Sequence, residues 1–200
     1  STPGIGEALN LSRTYTSSLA NPASSYHVNG AFGPGWTYNY GLSAATNATN
    51  GSVTVTQEDG SQVVFTDASG TYTPPARDDV TLTKSGADYY YTRHGGVQYV
   101  FDSSTGHLVE ESDQAGRAAS SAYRTSLAYN TSGQLSTITD PVGRTFTVTW
   151  AGSHISKVVD AAAREVDYAY NSAGDLTDVY GVGTSRTGGV NGNQDHTVYG

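Results

Sequence analysis

Apolar and polar residues alternate along this chain in short bursts, and Gly, Pro, Asn and Asp interrupt them. GSVTVTQEDGSQVVFTDASGTYTPP (51–75) reads as strand, Asp59-Gly60 turn, strand, Ser69-Gly70 turn, and a stop at Pro74 and Pro75. A period of two with such breaks predicts strands joined by tight turns. Asp59-Gly60 predicts a type I′ hairpin turn. VTLTK (80–84), DYYYTR (88–93) and VQYVFD (97–102) continue the rhythm, joined at Gly86 and at Gly95-Gly96. Nearer the N-terminus, Leu9, Leu11 and Arg13 share one parity before Tyr15 and a polar turn. Gly33, Pro34 and Gly35 then force a turn ahead of the alternating Trp36, Tyr38 and Tyr40, a strand with one aromatic face. No stretch holds a 3.6-residue period over ten residues. DAAAREV (160–166) is locally permissive for helix, but the same register one copy earlier reads DPVGRTF, and Pro141 and Gly143 are poor inside a helix. The expectation is an all-β chain of at least ten short antiparallel strands and hairpins.

A second pattern lies over the first. Leu108, Leu135 and Ile155 are each followed five positions on by Asp113, Asp140 and Asp160, and four further on by Arg117, Arg144 and Arg164. Aromatics open the units: Phe101-Asp102, Tyr129-Asn130, Trp150-Ala151 and Tyr170-Asn171. The period is about 20–27 residues, a size that means stacked hairpin-like units burying their faces against their neighbours. The apolar pairs Leu135/Ile138, Ile155/Val158 and Leu176/Val179 stand three apart, which no plain strand allows. A bulge after the first of each pair, re-aiming the next side chain inward, is the cheapest account.

A carboxylate beside a guanidinium could serve hydrolysis, or it could build a turn. Asp caps backbone N–H groups, and an Arg four residues on bridges the turn or pairs with a carboxylate. Repetition decides for construction, because a catalytic pair is needed once and a turn clamp at every turn. Asp113, Arg117, Asp140, Arg144, Asp160 and Arg164 are therefore read as structural clamps.

The unit resembles the YD repeat of the bacterial RHS proteins, which the teneurins share. It stands as YNTSGQLSTITDPVGR (129–144), degenerate as WAGSHISKVVDAAAR (150–164), and as FDSSTGHLVEESDQAGR (101–117). Upstream, SRTYTSS, FGPGWTYNY, GSVTVTQEDGSQVVFT and GTYTPP are similar to the domain that precedes such repeats. The resemblance implies a β-rich pre-repeat domain at 1–100, YD-like repeats at 101–180, and a flexible or capping tail at 181–200. It further implies an open spiralling sheet, part of a large hollow shell that encases or presents a C-terminal effector of the same polypeptide. The copy at 150–164 departs from the pattern, with Ala151 for Asp or Asn and no Gly before Arg164. In the copy that opens at Tyr170, Gly181 holds the place of the Asp.

Composition narrows the alternatives. Only 10 Lys and Arg stand against 18 Asp and Glu, for a net charge of −8, so no basic groove exists for nucleic acid. No 18-residue apolar run could insert in a membrane as a helix. Cys is absent, and the five His show neither H-x-H nor H-x-x-x-H spacing, so neither metal nor cofactor is expected. EESD (110–113) and Asp78-Asp79 lack a calcium-loop layout. No nucleophile elbow or phosphate loop occurs, and GVGTSRTGG (181–189) lacks the Lys and the frame of one. The expected function is non-catalytic. Expected partners are the rest of its own polypeptide, a glycan or surface protein, and a second copy through an open sheet edge. The alternative is an extracellular carbohydrate- or protein-binding module that uses Trp36, Tyr38, Tyr40 and Tyr90; a glycoside hydrolase ranks last. Beginning STPGIG without Met, the chain is expected to be a piece of a longer, secreted or cell-surface protein.

Overall fold

The computed structural model describes residues 9–24, 27–114, 117, 123–181 and 196–199. The short strands β1 (Arg13–Tyr15), β2 (Asn29–Gly30), β3 (Gly33–Pro34) and β4 (Trp36–Tyr38) come first, with one helical turn, α1 (Ser17–Ala20), after β1. β5 (Ser43–Thr46), β6 (Val53–Thr56), β7 (Gln62–Ala68) and β8 (Thr71–Thr73) form a four-stranded antiparallel meander. β9 (Val80–Ser85), β10 (Asp88–Arg93), β11 (Gln98–Asp102), β12 (Leu108–Ser112) and β13 (Thr125–Tyr129) follow. The last six are β14 (Leu135–Thr139), β15 (Thr145–Ala151), β16 (His154–Val159), β17 (Glu165–Tyr170), β18 (Leu176–Tyr180) and β19 (His196–Val198). The fold is all-β, of short antiparallel strands in open, unclosed sheets.

The residues group into two compact units. The first comprises 1–12, 38–127 and 139–143. Here β9 to β13 pair in chain order, and Ser43 of β5 bridges to His107. Alternation does what the pattern required: Val53, Val55, Val63 and Phe65 point inward, as do Tyr89 and Tyr91, while Tyr90 takes the other face half-exposed. Phe65 and Tyr91 meet edge-to-face at 6.0 Å, and the Tyr89 hydroxyl sits 2.9 Å from that of Thr46, so the inner face of β10 carries contacts to the β5–β8 meander. Gly106 is compelled: a Cβ there would lie 2.1 Å from the Ala44 carbonyl oxygen.

The second unit comprises 13–37, 128–138 and 144–200. β14 to β19 run on in chain order, burying Leu135, Ile138, Val148, Ile155, Val158, Tyr168, Leu176 and Val179. The β2–β3 ribbon lies on them. Phe32, wholly buried, meets Tyr168 at 4.9 Å, and Ile155 N–H donates to the Ala31 carbonyl.

One local expectation needs correction. Asp59 does not adopt positive φ, so Asp59-Gly60 is not a type I′ turn. Gly60 alone does, within a longer loop closed by Gln57 N–H to Ser61 O, in which the Asp59 carboxylate accepts the Ser61 N–H and hydroxyl. The two-residue I′ turn is at Ser69-Gly70, where both φ values are positive. The region 160–166 is a tight turn leading into β17, as the copy comparison predicted. Of the expected tail, 182–195 lies outside the described residues, while 196–198 form β19 against β18.

Candidate functional site

The turn Asp and Asn residues act through one geometry. Asp160 Oδ1 accepts the N–H groups of Ala162 and Arg164, each at 2.9 Å, while Oδ2 takes Arg164 Nε at 2.6 Å. The Arg164 hydrogen bond, then the backbone donors, hold the Asp160 carboxyl below the usual range. Asn130 accepts from Ser132 and Gln134, and Asn171 from Ala173 and Asp175, at the same two- and four-residue offsets. Asp140, 3% exposed, accepts the Val142 N–H, while Arg144 is exposed. Asp113 differs: Arg117 N–H bonds its main-chain carbonyl, in the manner of a helical turn.

Two further devices repeat, a bulge that the apolar spacing required and an aromatic cap that was not read from the sequence. Strand register shifts by one at Val109, Ser156 and Thr177, each immediately after the leading apolar residue of its unit, Leu108, Ile155 or Leu176. The last two are the bulges that the spacing of Ile155/Val158 and Leu176/Val179 required, and the one at Val109 was not expected. At the second and third, a hydroxyl fills the gap: Ser156 donates to Thr149 O and Thr177 to Ala169 O, both at 3.2 Å. Ser136 does the same to Ala128 O at 3.0 Å. The other device is the aromatic that closes each strand. Trp150 Nε1–H donates to Leu135 O and the Tyr170 hydroxyl to Ile155 O, both at 2.7 Å. Burial pushes the Tyr170 phenol well up, keeping it a donor. Ser or Thr after Leu135, Ile155 and Leu176, and the returning aromatic, were the signals in the sequence.

The aromatics proposed as a surface separate. Tyr40 is 5% exposed and belongs to the core of the first unit, because the chain turns at Gly41 and carries the ring inward. Tyr38 is half-buried, and burial pushes its phenol up to about 12. Tyr90 stays half-exposed. Trp36, 9% exposed, joins a cluster in the second unit. Its ring centroid lies 5.3 Å from that of Tyr15 and 5.2 Å from that of Tyr199. The Arg13 guanidinium stands 5.5 Å from the Trp36 ring and 5.2 Å from that of Tyr168, and donates to the Tyr199 hydroxyl at 3.1 Å. Beside this cluster opens a cavity of about 540 Å³, whose lining includes Tyr15, Trp36 and Tyr199 on one side and His27, Asn171 and Asp175 on another.

Several other ionic groups are paired. Arg93 binds Glu58 through both guanidinium ends, one at 2.8 Å, beneath the rings of Tyr91 and Tyr99. That hydrogen bond lowers the Glu58 carboxyl against the opposing pull of burial. His94 pairs with Asp79 in the open, and His196 stacks on Tyr180 while bonding Asp178 at 2.8 Å. Among the described residues, no three His, Asp or Glu side chains gather as metal ligands.

Residues 1–65 match a family model described as a domain of unknown function, DUF6531, which is found in RHS/YD-repeat systems. No curated protein matches the chain. The match covers the N-terminal strands through β6 and most of β7, and leaves the repeats to be judged on their own geometry.

Proposed function

We propose that this chain is a non-catalytic segment of an RHS/YD-type shell, which encases or presents an effector carried further along the same polypeptide. The observation that carries the reading is the recurrence of one set of contacts in successive units: the Asx-capped turn, the hydroxyl-filled bulge and the aromatic cap. The Asx cap closes its own turn, while the bulge hydroxyl and the aromatic bond the backbone of the preceding unit, which is how stacked units extend a sheet. The N-terminal match to a domain of RHS/YD-repeat systems supports the same assignment. Such a shell works outside the cell, and its first partner is the remainder of its own chain.

The test uses the natural full-length polypeptide. Electron microscopy of the purified protein is expected to show a closed hollow body, and limited proteolysis to spare a C-terminal fragment until the body is breached. A compact particle without a lumen, with its C-terminal fragment cut at the rate of an isolated domain, overturns the proposal.

A further inference from the structure

We propose that the cavity of the second unit binds a neutral pyranose of a glycan. A pyranose presents apolar C–H faces and a rim of hydroxyls, so its site needs an accessible aromatic face beside fixed hydrogen-bonding groups. Tyr15 supplies the face: it is 52% exposed, and its ring leans on Trp36, which forms the floor. The polar groups are held in advance. His27 Nδ1 lies 3.1 Å from the Leu19 carbonyl, which can only accept, so Nδ1 carries a proton and the ring is held in place. Asn171 is locked by accepting two backbone N–H groups, and its amide donates to Asp175 Oδ2 at 2.9 Å. The Asp175 carboxylate is thereby oriented as a hydroxyl acceptor without cost in side-chain freedom on binding.

The corresponding position in the 129–144 copy shows that the turn needs an acceptor there but no charge: Gln134 Oε1 accepts the Asn130 amide at 3.1 Å. Gln134 stands there and spends its amide on the Gly152 carbonyl at 2.7 Å. A carboxylate lining a cavity occurs where the repeat itself asks only for an amide.

Charge selects the ligand class. Among the described residues the lining includes Asp175 and no Lys or Arg, which disfavours phosphates and acidic sugars. Aromatic walls with a carboxylate also suit a quaternary ammonium. Here, however, the Arg13 guanidinium already lies over the Trp36 ring and bonds Tyr199, placing a positive charge against the same rings. A neutral hydroxyl-rich ring fits both the carboxylate and that cation.

The chain's two Trp provide a built-in readout, since Trp150 Nε1 is committed to Leu135 O away from the cavity lining. The probes are neutral hexose and N-acetylhexosamine oligosaccharides, screened on an array and then titrated into ¹⁵N-labelled protein, with choline chloride in parallel. The expected result is a saturable shift of the Trp36 indole signal with the Trp150 signal still. Tyr15→Ala and Asp175→Asn should each weaken binding about tenfold or more, with melting temperature unchanged. No shift with any saccharide up to about 10 mM, a range that covers millimolar dissociation constants, overturns the proposal. So does saturation by choline alone, or saccharide binding that neither variant alters. None of these outcomes bears on whether the full-length polypeptide closes a shell.

Discussion

At the scale of single residues, the turns test what each clamp contributes. Ala163 has φ 58°, where the preceding copy carries Gly143 at φ 84°. An L-residue in that region costs roughly 1–2 kcal/mol, partly offset by the greater unfolded freedom of Gly. Ala163→Gly should therefore raise stability by about 0.5–1 kcal/mol, visible as a higher urea midpoint at constant slope. Asp140 is buried, so Asp140→Ala should cost about 1–3 kcal/mol. Asp160→Ala, at a more open turn, should cost less, and neither should change any activity found in an enzyme screen. Glu58 gives the pH dependence. Its folded carboxyl is lowered by Arg93, so its stabilisation is present above the unfolded value and is lost as pH falls through the folded one. Melting between about pH 5 and pH 2 should then drop less for Glu58→Gln than for the parent chain. An equal drop would mean the pair contributes nothing.

At the scale of the element, the aromatic caps and bulge hydroxyls join one hairpin to the next. Trp150→Phe and Tyr170→Phe remove one donor each while keeping a ring in place. Each leaves a carbonyl of the neighbouring unit short of a partner and should cost about 0.5–1.5 kcal/mol in denaturant unfolding. Like losses from the two are expected because their geometry is the same in successive copies. A near-zero loss for both would show that the ladder is held by its backbone bonds alone. The bulge explains why strands of a repeat can carry apolar residues three apart. The extra residue turns the next side chain to the same face, so Ile155 and Val158 are both buried.

At the scale of the whole molecule, an open meander ends in strands with one unpaired side. β19 pairs with β18, and beyond it no strand follows among the described residues. Val198 there is 66% exposed. Such an edge is a template for further strands. Sedimentation velocity of this chain should show association that grows with concentration, and Val198→Lys should weaken it. A strict monomer at every concentration would mean that the edge is guarded.

The alternation of apolar and polar residues was enough to determine the strands, since a period of two leaves only one way to bury Val53 with Val55 or Tyr89 with Tyr91. The repeat likewise determined where the turns fall and where the bulges must come, because both follow from side-chain spacing along one strand. Which turn type forms at Asp59-Gly60 and Ser69-Gly70 was not legible. It depends on atoms that spacing leaves free. Long-range assembly was not legible either. That residues 13–37 group with the later repeats, and that Tyr15 and Trp36 meet Asn171 and Asp175 around one cavity, follows from packing between segments over 130 residues apart. Only the tertiary structure decides such contacts, since burial depends on the surface each face meets and local pattern records only that a face is apolar.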